Sequence, residues 1–273
     1  QGGKKSQLTI EKIPGDASSR QYYRVRKGNS RMIAMKMSPF TEQGESLPFL
    51  QVQRHLDKLS VAVPKIFDVE PSQGLILLDD LGDETLLKRL QSVSRKRDQL
   101  IWFKRSIDLL TKMQIKATEK KAPIDAYGLY FDVEKLMWEV RFTLNHFYTG
   151  RLAPKMSDKD IKTVEEYFTA ICKRLASEGW VFTHRDYHCR NIMVHDDELF
   201  MIDFQDARLG CAQYDLASLL RDSYYQLEED LIYELVDYYV SQMQKSDGIP
   251  NYKNKNNFVE IFDLMSIQRN FKA

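Results

Sequence analysis

The densest chemistry in the chain lies in Thr183-His184-Arg185-Asp186-Tyr187-His188-Cys189-Arg190-Asn191, followed by Ile202-Asp203-Phe204. Asp186 and Asn191 have the separation of H-R-D-x-x-x-x-N, in which the carboxylate meets an acceptor hydroxyl and the amide holds a metal ion. Asp203, seventeen residues beyond Asp186 at the end of an apolar segment, is placed to offer the second oxygen ligand that joins Mg²⁺ to nucleotide phosphates. Phosphoryl transfer is mostly alignment and charge neutralisation, so a cation near the phosphates is also expected. Ile33-Ala34-Met35-Lys36 has the V-A-I-K shape and offers Lys36. Ahead of it, Gly15-Asp16-Ala17-Ser18-Ser19-Arg20 is a turn whose N–H groups, with Ser18, Ser19 and Arg20, would cover phosphates.

These groups need two kinds of scaffold. Gln7 to Ile13, Gln21 to Arg26, Met32 to Met37 and Leu75 to Leu78 read as short strands punctuated by Pro14-Gly15-Asp16 and Gly28-Asn29-Ser30. Between Ser46 and Leu59, apolar residues recur at helical spacing and predict one helix packed on that sheet. From Asp83 onward the period is helical, over Glu84 to Gln91, Lys96 to Ala117, Asp132 to Tyr148, Asp158 to Ala176 and Leu231 to Lys245. Strands return only at Trp180 to Thr183, Ile192 to Val194 and Leu199 to Ile202. The expected fold is α+β in two lobes: a small antiparallel β lobe with one helix (1–78), a hinge (79–83), and a larger, mainly helical lobe (84–273) holding the catalytic loop. Phe258, Ile261, Phe262 and Met265 form an apolar stripe still running as the chain ends, which predicts a truncated C-terminus.

Composition narrows the class. Of 273 residues, 43% are hydrophobic and 29% charged, which excludes wholesale disorder. The formal net charge of +1 and the lack of a basic stripe argue against a nucleic-acid partner. The longest aliphatic run is Leu75 to Leu78, far short of the ~20 residues that span a bilayer, so no membrane partner and a cytoplasmic location are expected. Cys172, Cys189 and Cys211 lack metal-site or redox spacing and read as reduced structural thiols. Oligomeric state is not legible.

The order of these motifs resembles the aminoglycoside phosphotransferase and choline kinase branch of the protein-kinase-like fold. Within it, the similarity is nearest to bacterial anomeric sugar kinases acting on N-acetylmuramate and N-acetylglucosamine in cell-wall recycling. The resemblance is carried by Gly15 to Val25, Leu77-Leu78-Asp79-Asp80-Leu81-Gly82-Asp83, His184 to Asn191, and Ile202-Asp203-Phe204-Gln205-Asp206-Ala207 running on to Tyr214-Asp215-Leu216-Ala217-Ser218-Leu219-Leu220-Arg221-Asp222. It implies an ATP- and Mg²⁺-dependent kinase acting on a small molecule. Asp186 would be the catalytic base, Asn191 and Asp203 the metal ligands, Lys36 the phosphate clamp, and the backbone around Asp79, Asp80 and Leu81 the adenine hinge. The family continues several dozen residues beyond a Gln-Arg pair like Gln268-Arg269. Two departures stand out: Gln51 or Gln53 replaces the Glu that pairs with the strand lysine in protein kinases, and many of these sugar kinases lack the lysine, leaving Arg20 or Arg24 to share its role.

Only 12 residues separate Asp203 from Asp215, with no Ala-Pro-Glu, which leaves little room to present a peptide. A small hydroxylated acceptor fits better. Aminoglycoside, choline or another metabolite alcohol is the alternative acceptor, and a nucleotide-binding pseudokinase scaffold is the alternative of another class. His184 and His188 read as structural support and Asp215 as a helix cap or loop anchor. Asp206 stands between turn stabilisation and the surroundings of the metal. The lactyl acid of N-acetylmuramate would want a cation, with Arg141, Arg208, Arg221 and Arg269 as candidates, and Glu139 is a candidate for a sugar hydroxyl.

Overall fold

The computed structural model describes residues 8–14, 20–40, 47–148, 150–151, 156–245 and 254–272. Ser18 and Ser19, with most of the turn before Arg20, lie outside them. Five antiparallel strands open the chain: β1 (Leu8–Ile13), β2 (Gln21–Lys27), β3 (Ser30–Lys36), β4 (Ile66–Glu70) and β5 (Leu75–Asp79), in spatial order β1-β2-β3-β5-β4. Gly28, at φ 59°, closes the two-residue β2–β3 turn, where a positive φ matches the twist of the strands. The β4 strand was not expected. Its Ile-Phe-Asp-Val-Glu sequence does not alternate cleanly, and its register with β5 slips between Ile66 and Asp68.

Helix α1 (Pro48–Lys58) buries Phe49, Leu50, Val52 and Leu56, with Met35 and Ile76 of the sheet in the same core. Proline in its first turn costs no hydrogen bond, because that N–H has no intrahelical partner anyway.

The second lobe consists of α2 (Leu86–Ser92), α3 (Lys96–Glu119), α4 (Val133–Thr143), α5 (Asp158–Ala176), α6 (Gln213–Leu220), α7 (Glu229–Met243) and α8 (Lys255–Lys272), with two small β pairs set among them. Ser157 caps α5 by accepting from the Asp160 N–H, and Asp132 caps α4 through Lys135 N–H. The helix expected to run from Asp132 to Tyr148 instead changes to a π turn over Leu144–Tyr148.

Strands β7 (Ile192–His195) and β8 (Glu198–Met201) form a hairpin whose turn residues, Asp196 and Asp197, both have positive φ. Strand β6 (Trp180–Thr183) pairs with β9 (Arg208–Cys211), a strand absent from the sequence expectation. The short Arg-Leu-Gly-Cys segment has too few residues to show a period, and pairing with β6 makes it a strand. No helix among the described residues is long and apolar enough to cross a membrane. All three cysteines are free and buried, and burial pushes Cys172 and Cys211 up to about 12.

Candidate active site

The loop after β6 is held from below by one buried carboxylate. Asp215, in the first turn of α6, accepts the N–H groups of His184 (2.7 Å) and Arg185 (2.9 Å). Arg185 then adopts φ 86°, a left-handed conformation that a fixed loop must impose on it. Tyr187 is fully buried and donates its hydroxyl to the Ser106 carbonyl of α3 at 2.8 Å. The Cys189 N–H reaches Asp222 at 2.9 Å. Burial lowers the His184 pKa, so its ring is neutral and Nε2–H donates to the Ile202 carbonyl (2.9 Å), tying this loop to the segment bearing Asp203.

Asp186, Asn191 and Asp203 therefore converge. Asn191 Nδ2 donates to the Asp186 carbonyl (3.0 Å) and lies 3.4 Å from Asp203 Oδ2. Asp203, at φ 64°, is followed by Phe204, whose ring stacks on Phe49 of α1 with centroids 5.2 Å apart. Gln205 donates to Asp203 Oδ1 (2.8 Å) and accepts from Arg20 (3.0 Å), which brings the start of β2 to the metal-ligand candidates.

Two cavities meet at this loop. One, of about 500 Å³, lies between the lobes and is lined by Tyr22, Ile33, Leu78 and Leu81 above and by Asn191 and Asp203 below. The other, of about 230 Å³, is lined by Asp186, His188, Arg221, Asp222, Arg269 and Lys272. The loop is the wall between them.

Asp186 is a strong candidate for a carboxylate held ionised. Burial works against the charged form, but Lys272, Arg269 and Arg185 outweigh it and hold the carboxyl below the usual range. Arg185 Nε lies 3.8 Å from Oδ2. On the other oxygen, Arg269 Nη2 and Lys272 Nζ lie 3.8 and 3.9 Å away. Asp215 sits in a contrasting environment, where burial outweighs its two N–H donors and pushes it up to about 7.

Other expected site residues fall elsewhere. Lys36 is exposed at the end of β3. Ile33 lines the inter-lobe cavity and Met35 is buried in the core, so the alternation of the strand turns Lys36 to the opposite face. Neither glutamine of α1 approaches it: Gln53 donates to the Pro64 carbonyl (2.8 Å), and Gln51 accepts from the Asp125 N–H (3.1 Å).

Arg24, by contrast, is buried against the hinge. It makes two hydrogen bonds to Asp80, at 2.8 and 3.0 Å, and two to Asp83, at 3.0 and 2.9 Å. Asp80 is thus an internal counter-ion, while Asp79 and Leu81 line the inter-lobe cavity.

Of the four arginine candidates for an acceptor anion, Arg221 and Arg269 line the smaller cavity. Arg141 pairs with Glu165 (3.0 Å) on the surface, and Arg208 stacks over Phe131 (5.1 Å). Glu139 is buried behind the cavity, bonded to Gln268 (3.2 Å) and Lys272 (3.2 Å). Lys272 was not anticipated, although it continues the same helical stripe as Met265 and Gln268.

Comparison with known proteins agrees with this architecture. The phosphotransferase enzyme family profile matches residues 9–248. An N-acetylmuramate/N-acetylglucosamine kinase of Pseudomonas putida is 30% identical over 94% of this chain and 72% of its own length. Its counterpart from Neisseria meningitidis is 26% identical, over 94% of this chain and 74% of its own length.

Among solved structures, a Plasmodium vivax ethanolamine kinase superposes with a TM-score of 0.66 at 14% identity, covering 97% of this chain and 74% of its own. An ADP-bound aminoglycoside phosphotransferase superposes with a TM-score of 0.61 at 14% identity, covering 97% and 95%. With the two lobes, the facing cavities and the profile match in agreement, the chain belongs to the phosphotransferase enzyme family and has the protein-kinase-like fold of its structural neighbours.

Proposed function

We propose that the protein is an ATP- and Mg²⁺-dependent kinase that phosphorylates the anomeric hydroxyl of an N-acetylated amino sugar, N-acetylglucosamine or N-acetylmuramate. The observation that carries this reading is the placement of Asp186 on a sugar-sized cavity of about 230 Å³, with Asn191 and Asp203 on the far side of the same loop. The relatives named above supply the acceptor class.

The nucleotide would lie in the larger cavity between the apolar side chains of Ile33 and Leu81, with its phosphates toward Arg20 and Asp203. The residues present fit Mg²⁺. Asn191, whose amide nitrogen donates to the Asp186 carbonyl and lies 3.4 Å from Asp203, would offer its side-chain carbonyl oxygen, and Asp203 a carboxylate. Two hard oxygen donors suit an ion that also binds phosphates. The ion would neutralise charge on the transferring group.

Asp186, ionised at neutral pH, accepts a hydrogen bond from the acceptor hydroxyl, orients its oxygen at the γ-phosphorus and takes its proton late in the transfer. An anomeric hydroxyl is more acidic than an ordinary alcohol, which suits a carboxylate base. Arg221, on the lining of the same cavity, would be the cation for the lactyl carboxylate of N-acetylmuramate.

An ADP-release screen of amino sugars, aminoglycosides and choline, followed by ³¹P NMR of the product, tests this. A sugar 1-phosphate is expected. A 6-phosphate, a phosphocholine or an aminoglycoside ester would overturn the acceptor assignment.

A further inference from the structure

Helix α8 brings three side chains to the catalytic loop from the far end of the chain. Gln268 Nε2 donates to Glu139 (3.2 Å) and to the Leu136 carbonyl (3.4 Å). Arg269 Nη1 donates to the Arg185 carbonyl (2.8 Å), and its guanidinium stacks over the Tyr214 ring at 4.6 Å. Lys272 Nζ donates to the Tyr214 hydroxyl (2.9 Å) and to Glu139 Oε1 (3.2 Å).

Both cations then face the same oxygen of Asp186, Arg269 at 3.8 Å and Lys272 at 3.9 Å. Those gaps are too long for direct hydrogen bonds, and each has the length that one bridging oxygen, about 2.8 Å from both ends, would fill. Asp186, Arg269 and Lys272 all line the smaller cavity, so an acceptor bound there would supply such an oxygen. The seat offers one group to take a proton and two N–H cations to hold the charge left behind.

We propose that Lys272, with Arg269 beside it, is a catalytic residue that donates a hydrogen bond to the acceptor oxygen as that oxygen attacks phosphorus. This rests on the kinase reading above. In the step, the acceptor O–H bond breaks and its proton passes to Asp186, while a bond forms from that oxygen to the γ-phosphorus. The bond from the γ-phosphorus to the bridging oxygen breaks, and its electron pair leaves on ADP. Lys272 keeps its own proton and lends only its field, as donors aimed at a developing oxyanion do.

Burial pulls the Lys272 ammonium down to about 8, helped by Arg269 and Arg185 and opposed by Glu139 and Asp186, so it remains charged at neutral pH. Glu139, buried and bonded on both oxygens, fixes where that ammonium sits. Glu139 is thus a positioning residue.

The test compares Lys272→Met, Lys272→Ala and the double variant Glu139→Gln/Lys272→Met on whichever acceptor the ADP-release screen returns. A choline or aminoglycoside hit would change the acceptor assignment and leave this comparison intact. Lys272→Met should lower kcat by about 10²-fold with the Kd for Mg·ATP unchanged, and added ethylamine should restore part of the lost kcat to Lys272→Ala. The double variant removes the stranded Glu139 charge, so it should fold and still turn over slowly. If Lys272→Met keeps kcat within about threefold, or the double variant regains it, Lys272 only neutralises Glu139 and the proposal is overturned.

Discussion

Removing the Arg24 side chain would strand Asp80, whose carboxylate is 1% exposed and sits 2.8 Å from the guanidinium. A buried pair broken from one side costs about 3–5 kcal/mol, because the remaining charge loses its counter-ion and keeps only the Gly82 N–H (3.1 Å), with no water. Arg24→Met should therefore lower stability in urea denaturation by that order, and Arg24→Met/Asp80→Asn should recover most of it. A double variant as unstable as the single one would contradict the counter-ion reading of Asp80.

Residues close together in the chain were legible: the spacing of Asp186, Asn191 and Asp203 needs only one loop and one hairpin to bring them together. Lys36 was not. Its neighbours match a motif, but the face it occupies depends on which side of β3 packs on α1. Arg24 and Asp80, 56 residues apart, form a pair that no local pattern announces.

Among the elements, α6 holds the loop that carries Asp186 through its first turn. Asp215→Ala leaves two buried N–H groups without acceptors, at about 1–3 kcal/mol each. It also frees Arg185 from the positive φ that the loop imposes. Asp215→Ala should lose stability of about that size and most of its turnover, whereas Asp215→Asn should keep more of both. Equal loss in both variants would contradict this.

The sign of the pH dependence follows from burial. The Asp215 carboxyl is raised from 3.8 to about 7, so the folded protein holds a proton that the unfolded chain releases. Its contribution to stability is full below about pH 4 and is lost as pH rises toward 7. The Asp215→Asn variant, which cannot titrate there, should show a flatter stability profile over that window.

Helix positions and most boundaries followed from periodicity, and α5 begins at the capping signal of Ser157. The strands β4 and β9 escaped, because each is short and is defined by its partner rather than by its own pattern.

At the scale of the molecule, the sheet lobe and the helical lobe meet at a cleft that a nucleotide would fill from both sides. A ligand bound only by the folded state stabilises it by mass action, about 2.7 kcal/mol at a hundred times its Kd. Mg·ATP should therefore raise Tm, and EDTA should remove most of the shift. In Asp203→Ala the shift should be small with or without EDTA; a full wild-type shift would count against Asp203 as a metal ligand.

The two-lobe plan was readable because a period of two gives way to a helical one near residue 83. The return of α8 to the loop bearing Asp186 was not readable, since nothing local sets where the last helix packs. Its polar Gln268, Arg269 and Lys272 continuing an apolar stripe were the available sign.

In the proposed reaction Asp186 readies an acceptor hydroxyl for attack on a nucleotide held across the loop. Asp186→Asn, assayed for ADP release and for Mg·ATP binding by calorimetry, tests it most directly. Turnover should fall by at least about 10²-fold with the Kd for Mg·ATP unchanged; turnover close to wild type would rule out Asp186 as the base.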